Sequence, residues 1–446
     1  YSSLATAPCA GDDHHRTQDC PVSSMKIQRY LTPTAAPVSW LDLMRGGWGL
    51  FQGRRARACR EREFAQYFGV KYVFALSSGK AALTTILQVL AAASPRRKVI
   101  VPAYTCFSVP SAILRAGCDV VPCDVDPETL DYRFPDLEAL VSGDILCIVS
   151  PHLLGHAADI LRTKGIACRF EIPVVEDAAQ AMGGAEESRW LGTQADVGFF
   201  SLGRGKNVTA GSGGVILTNS DSLGSALAQQ CKQIPEASWI SQVQAFIEAV
   251  ATAILIRPSL YWLPAGLPFL GLGETKFEPD FKLCRLDGMR ASLLASWQPR
   301  LEQSNAERVR HSQDMLDALQ TSLGKFEPTC REATPYLRIP VIFPSADMKA
   351  RACQVSAASG LGVSGLYPSP ISEIPALRST CGTSQFPGAQ ALADRMVTCP
   401  VHHYVTHQDI LNIAGALQGV VDGKDRFAGK PSALPTDPAL ATKMKV

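Results

Sequence analysis

Two acids and a lysine carry the chemistry this sequence could perform. Glu176 and Asp177 close the apolar run IPVV (172–175) and lead to Gln180, in EDAAQAMGG. Twenty-nine residues after Asp177 comes Lys206, inside DVGFFSLGRGKNVTAGSGG (196–214). That stretch begins as a short apolar strand, passes through a glycine-rich loop holding the lysine, and ends in a second glycine cluster before VILT. A lysine between a buried strand and glycine-rich backbone loses hydration, which lowers its pKa and frees its amine as a nucleophile. For a lysine alone the plainer role is a solvated loop residue. An acid at the carboxyl end of one strand and a lysine after a later strand together supply what pyridoxal phosphate needs: a Schiff-base amine and a carboxylate for the pyridinium nitrogen. Asp177 is equally suited to cap a helix before AAQA, and only the lysine downstream tips the balance.

At these residues the sequence resembles a known family. EDAAQAMGG, then the segment ending in GFFSLGRGKN, then GSGGVILTN are similar to the DegT/DnrJ/StrS-type sugar aminotransferases, a branch of the fold-type I pyridoxal phosphate enzymes. The resemblance runs from about Phe64 to Leu417. It implies that Lys206 is the Schiff-base lysine and the general base that moves the proton of the donor Cα. Relatives that dehydrate sugars at C3 have histidine at this position, so lysine favours transamination. The resemblance also implies Asp177 on the pyridine nitrogen and Gln180, one turn later, beside the phenolic oxygen.

Ser78 and Gly79 open the helical pattern KAALTTILQVL, where backbone N–H groups and the helix dipole favour an anion. This is similar to the family's SGTAAL phosphate loop, with Lys80 replacing a threonine, so that a hydroxyl is lost and a positive charge gained. Ser201 is implied as a second phosphate donor, although serine is commoner as a turn residue. PAYTCFS (102–108) resembles the segment whose aromatic stacks on the pyridine ring. Cys106 holds that position, Tyr104 stands two before it, and Phe107 is the favoured stacking residue, with a plain core role weighing about equally. His152, in SPHLLGH, matches a family histidine near the cofactor. Its spacing from His156 would also suit a metal on a helix, but Gly155 and the lack of a third ligand argue against that, and no metal is expected. Leu283 stands where relatives present a phosphate-binding asparagine to the partner subunit, just ahead of Arg285–Leu286. Ser212 stands where they often have glutamate. Cys399, His402 and His403 match a family segment entering the final helix, and are read as structural or substrate-proximal.

The elements that must hold these residues follow from periodicity. Apolar runs at 72–76, 99–102, 120–123, 145–149, 172–175, 197–200 and 214–218 alternate with helical patterns at 80–93, 108–116, 157–164 and 222–233. That alternation predicts an α/β fold with a mostly parallel seven-stranded sheet covered on both faces, with ligands beyond the carboxyl ends of its strands. Helical spacing is also read at 57–68 and 287–319, a strand at 338–343, and helices at 346–359 and 409–420. The expected organisation is a disordered or non-native leader (1–24), a large cofactor-binding domain (25–236), an apolar insert and connection (237–285), a smaller C-terminal α+β domain (286–423) and a disordered tail (424–446). The insert holds ISQVQAFIEAVATAILI and then RPSLYWLPAGLPFLGLG (240–273). Glu248 and Pro258 break it too early for a membrane span. It is read as a buried or dimer-interface element ahead of a membrane-surface patch.

Composition bounds the rest. With 446 residues, 46% hydrophobic and 19% charged, the chain can bury a large core, and a net charge of +2 without like-charge runs points away from nucleic acid. Fourteen cysteines without CxxC pairs read as reduced thiols of a cytoplasmic protein. The resemblance implies a pyridoxal 5'-phosphate-dependent aminotransferase, a homodimer that takes an amino group from an amino acid, glutamate by family precedent, to a nucleotide-linked keto sugar. A non-sugar or lipid-linked ketone as acceptor, or a regulatory member without turnover, are the alternatives.

Overall fold

The computed structural model describes residues 29–267, 275–323, 333–378 and 385–424, so the expected leader and nearly all of the expected tail lie outside the described residues. The strands before the insert are β1 (Tyr72–Leu76), β2 (Lys98–Pro102), β3 (Asp119–Cys123), β4 (Ile145–Pro151), β5 (Val174–Asp177), β6 (Ala185–Glu186), β7 (Arg189–Trp190), β8 (Val197–Ser201) and β9 (Gly214–Thr218). Seven of them form one sheet in the order β1-β9-β8-β5-β4-β2-β3, while β6 and β7 pair as a short ribbon. Within this sheet β9 runs antiparallel to both of its neighbours and every other pairing is parallel.

The sheet forms because its runs are short, rich in Val and Ile, and apolar on both sides, as a sheet covered on two faces requires. Successive side chains point to opposite faces: Leu76 joins a core with α3 (Gly79–Ala92), α4 (Ser108–Arg115) and α7 (Asp221–Gln233), whereas Ala75 joins one with α2 (Arg54–Phe68) and α10 (Gly288–Leu293). The strand expected at 172–175 sits two residues later. Pro173 has no N–H to give to the ladder, and pairing starts at Val174, which carries Glu176 and Asp177 into the sheet. The helix expected at 157–164 is α6 (Ile160–Ala167), because Asp159 caps it by accepting the Arg162 N–H at 2.9 Å. The short α5 (Phe134–Leu140) follows β3.

The helix expected at 287–319 is two helices, α10 and α11 (Trp297–Leu323). Between them Ser296 bonds to Asp42 at 2.7 Å and to Arg45 at 2.9 Å. A second, antiparallel pair, β10 (Arg338–Ile342) and β11 (Met396–Pro400), packs with α11, α12 (Ala346–Ser359) and the last helix, His407–Val421, in its own apolar cluster. Leu31 belongs to that cluster. The buried Arg308 donates to the carbonyls of Ala35 and Leu337, each at 2.9 Å, and so ties this N-terminal stretch to the strand.

The insert forms α8 (Trp239–Leu255) and the single turn α9 (Trp262–Ala265). Ala245, Ala249 and Ala253 of α8 face inward, while Ile240 and Ile247 are exposed. Among the described residues no helix is long and apolar enough to cross a membrane.

Candidate active site

The carboxyl ends of β1, β2, β4, β5 and β8 open onto one cleft of about 240 Å³. Ser78, Gly79 and Lys80 enter it from the turn into α3, Thr105 and Cys106 from the loop after β2, and His152 from the end of β4. Asp177, Gln180, Ser201 and Lys206 complete the side formed by β5 and β8. Phe107, favoured for stacking, does not line the cleft. Its N–H donates to Thr275 Oγ1 at 3.2 Å and its ring packs against the α3–α4 core, so the wall at that point is Cys106.

Adjacent acids on β5 have opposite surroundings. Glu176 is fully buried and accepts hydrogen bonds from His152 Nε2 at 2.8 Å and from the N–H groups of Gly192, Gln194 and Ala195. Burial alone would raise its pKa, but His152 and these N–H groups outweigh it and hold the carboxyl below the ordinary range. His152 Nδ1 accepts the Ala158 N–H at 3.0 Å, which leaves Nε2 as the donor to Glu176 and locks the ring. Among the described residues the Asp177 carboxylate accepts one hydrogen bond, from the Ala179 N–H at 3.0 Å. Burial pushes its carboxyl up, against the pull of that N–H, of Lys206 and of His152.

Lys206 is half-buried, in the loop between β8 and β9, where it lines the cleft. Burial lowers its pKa below the ordinary lysine value of 10.5, with Cys106 and Asp177 opposing and Arg338 assisting. Gln180 is held at both ends: its Oε1 accepts the Leu154 N–H and its Nε2 donates to the Tyr367 hydroxyl, each at 2.9 Å. Tyr367 lines the cleft from the segment after α12 and packs on Tyr104, ring centroids 5.3 Å apart. Sequence reading missed it, since it lies in a proline-rich loop without periodicity.

The other end of the cleft is formed by a helix N-terminus. Ser78 caps α3 by accepting the Ala81 N–H at 3.1 Å, and the first turn of the helix faces the cleft. A Cβ on Gly214 would stand 2.2 Å from the Ser78 carbonyl, so that position needs glycine, and one on Gly79 would stand 3.1 Å from Ser201 Cβ, a tight approach. Lys80 pairs with Glu278 at 2.9 Å and lies over the Phe281 ring at 4.4 Å. Ser212 donates to the Ser77 carbonyl at 2.6 Å. Leu283 packs against the α3–α4 core, and Arg285 pairs with Glu61 at 3.0 Å. His156 stacks near Tyr336, and among the described residues no group of three His, Cys, Asp or Glu side chains is placed to hold a metal. His402 is buried and bonds to Thr32, a structural contact.

A family model described as the DegT/DnrJ/EryC1/StrS aminotransferase family matches residues 39–418. The chain belongs to this family. A GDP-perosamine synthase of Caulobacter vibrioides is 35% identical over 163 residues, which is 36% of this chain and 44% of that protein. A pleiotropic regulatory protein of Geobacillus stearothermophilus is 29% identical over 273 residues, 61% of this chain and 63% of that one. These matches thus span about half to just under two thirds of the curated relatives. Among solved structures, the aminotransferase TlmJ from Streptoalloteichus hindustanus has a TM-score of 0.70 at 19% identity, covering 89% of this chain and all of its own (100%), which bears on the fold alone.

Proposed function

We propose that this family member is a pyridoxal-phosphate-dependent aminotransferase. It moves an amino group from an amino acid, glutamate by family precedent, to a keto sugar carried on a nucleotide, for amino-sugar and polysaccharide biosynthesis. The observation that carries the proposal is a desolvated amine with a lowered pKa, Lys206, lining one cleft with a buried carboxyl, Asp177, that accepts a single hydrogen bond among the described residues.

The residues present fit the cofactor. Asp177 has a raised pKa that a cationic ring nitrogen would bring back down, and so supplies the carboxylate the pyridine needs. The α3 N-terminus with Ser78, Gly79 and Ser201 offers N–H and hydroxyl groups, in a gap left open by the missing Gly79 side chain, to a phosphate. Lys80, paired with Glu278, stands at the same end. When bound, pyridoxal phosphate supplies an electron-withdrawing ring that makes the donor's Cα proton acidic. Lys206 then takes and returns that proton as general base. His152, locked between Glu176 and the Ala158 N–H, forms a fixed wall, and Gln180 is held in place by Leu154 and Tyr367. The homodimer implied by the resemblance and the cytoplasmic location read from the cysteines belong to this reading, and sedimentation velocity and cell fractionation test them.

The deciding experiment is an absorbance spectrum of the purified protein with added pyridoxal phosphate, before and after glutamate. A visible band that glutamate converts to the pyridoxamine form, and that Lys206→Ala lacks, is the expected result. Absence of the band in wild type would sink the proposal.

A further inference from the structure

Among the described residues, most exposed large apolar side chains lie outside the cleft. Of the sixteen large apolar side chains exposed among the described residues, twelve lie in just two stretches, 40–51 and 239–267. Four of the chain's six tryptophans, Trp40, Trp48, Trp239 and Trp262, are among them. The two stretches adjoin: Phe51 lies 5.6 Å from Trp239 and 6.3 Å from Trp48, ring to ring, and the Phe246 ring packs against Gly47.

Both helices involved bury their smaller side. α1 (Trp40–Gly49) turns Asp42, Leu43, Gly46 and Gly49 inward and leaves Trp40, Met44 and Trp48 outside. α8 buries its three alanines and exposes Ile240 and Ile247. Apolar side chains on this scale are not left in water by chance.

The charges beside this face are mostly positive. A cavity of about 460 Å³ at its edge is lined by Met44, Trp48, Arg45, Arg55 and Arg60, with no acid in its wall. Arg60 is paired with Glu63 and Arg45 bonds to Ser296, whereas the Arg55 side chain has no partner among the described residues. Arg257, just past α8, is exposed, and Glu248 is the exposed acid on α8.

We infer that the outer faces of α1 and α8 form a docking surface for a bilayer carrying anionic lipid, with the chain lying on the membrane and not across it. Tryptophan and phenylalanine suit the boundary between headgroups and acyl chains, and arginines at its edge suit lipid phosphates. A second copy docked here about a two-fold axis would set one arginine-flanked face against another of the same sign.

The test is co-flotation of the full chain with phosphatidylcholine vesicles with and without phosphatidylglycerol, at low salt. Wild type is expected to float with the anionic vesicles and only weakly with phosphatidylcholine alone. Arg55→Glu should lower the affinity for anionic vesicles about tenfold, and Trp48→Ser with Phe51→Ser should abolish flotation. Quenching of wild-type tryptophan fluorescence by brominated lipid needs no variant to fold and is expected with anionic vesicles. The inference is overturned by no flotation and no quenching. It is overturned equally if the double variant keeps its melting temperature and flotation, or changes only the sedimentation of the protein without lipid.

Discussion

Glu176 and Asp177 are chemically alike, adjacent in one strand, and both buried, yet the fold treats them in opposite ways. Glu176 is surrounded by donors, and its carboxylate is stabilised below the ordinary pKa. Asp177 has a single donor, and its carboxylate is penalised. Because neighbouring residues in a strand point to opposite faces, one acid can serve as a rivet for His152 and the 192–195 turn while the next stays available to a ligand. Burial therefore does not tell a structural acid from a reactive one. The number of donors already committed to it does.

Four substitutions or conditions break or sharpen that contrast. Asp177→Asn should cost the most activity, about 10³-fold in turnover, without loss of melting temperature, since an uncharged side chain removes a buried charge with little support. Steady-state kinetics and calorimetry on one preparation check both halves. Glu176→Gln should do the reverse: an amide facing three backbone donors and His152 loses about 3 kcal/mol of stability, measured by urea unfolding.

Acid sharpens the contrast further. The folded pKa of Glu176 lies below its unfolded value of 4.5, so its stabilisation is complete above 4.5 and lost as pH falls through the folded pKa. The stability gap between wild type and Glu176→Gln should then close on acidification. The folded pKa of Asp177 lies above its unfolded value of 3.8, so its cost is present at neutral pH and gone below 3.8. Any advantage of Asp177→Asn should vanish over the same descent, seen in melting curves against pH. The smallest effect belongs to Tyr367→Phe, which frees one end of Gln180. A loss of about 1 kcal/mol in stability and a few-fold change in kcat with KM little altered are expected.

The sheet was legible because its strands are buried on both faces, which makes each one a continuous apolar run that needs no partner to be recognised. The ends were less so: Pro173 delays β5 and Asp159 delays α6, and both effects are backbone hydrogen-bonding choices that a hydrophobic pattern does not record. β11 reads MVTCP and the helix Pro387–Arg395 before it has only a short apolar face, so neither stood out. Within the cleft, Lys206, Asp177 and Gln180 were visible in motif and spacing. Glu176 was visible too, but its role depends on N–H groups that come round from 192–195. Tyr367 meets Gln180 across 187 residues, a separation no local pattern spans.

The antiparallel pairing of β8 with β9 limits how the site can vary. Ser201 and Gly214 are register partners, so the segment that carries Lys206 is a closed loop clamped at both ends by adjacent strands. Elsewhere an added residue can be absorbed where a loop meets solvent. Here an insertion or deletion falls between two clamped ends, within a few residues of the lysine. Any change in the length of this loop is therefore confined between two paired strand ends that hold their register.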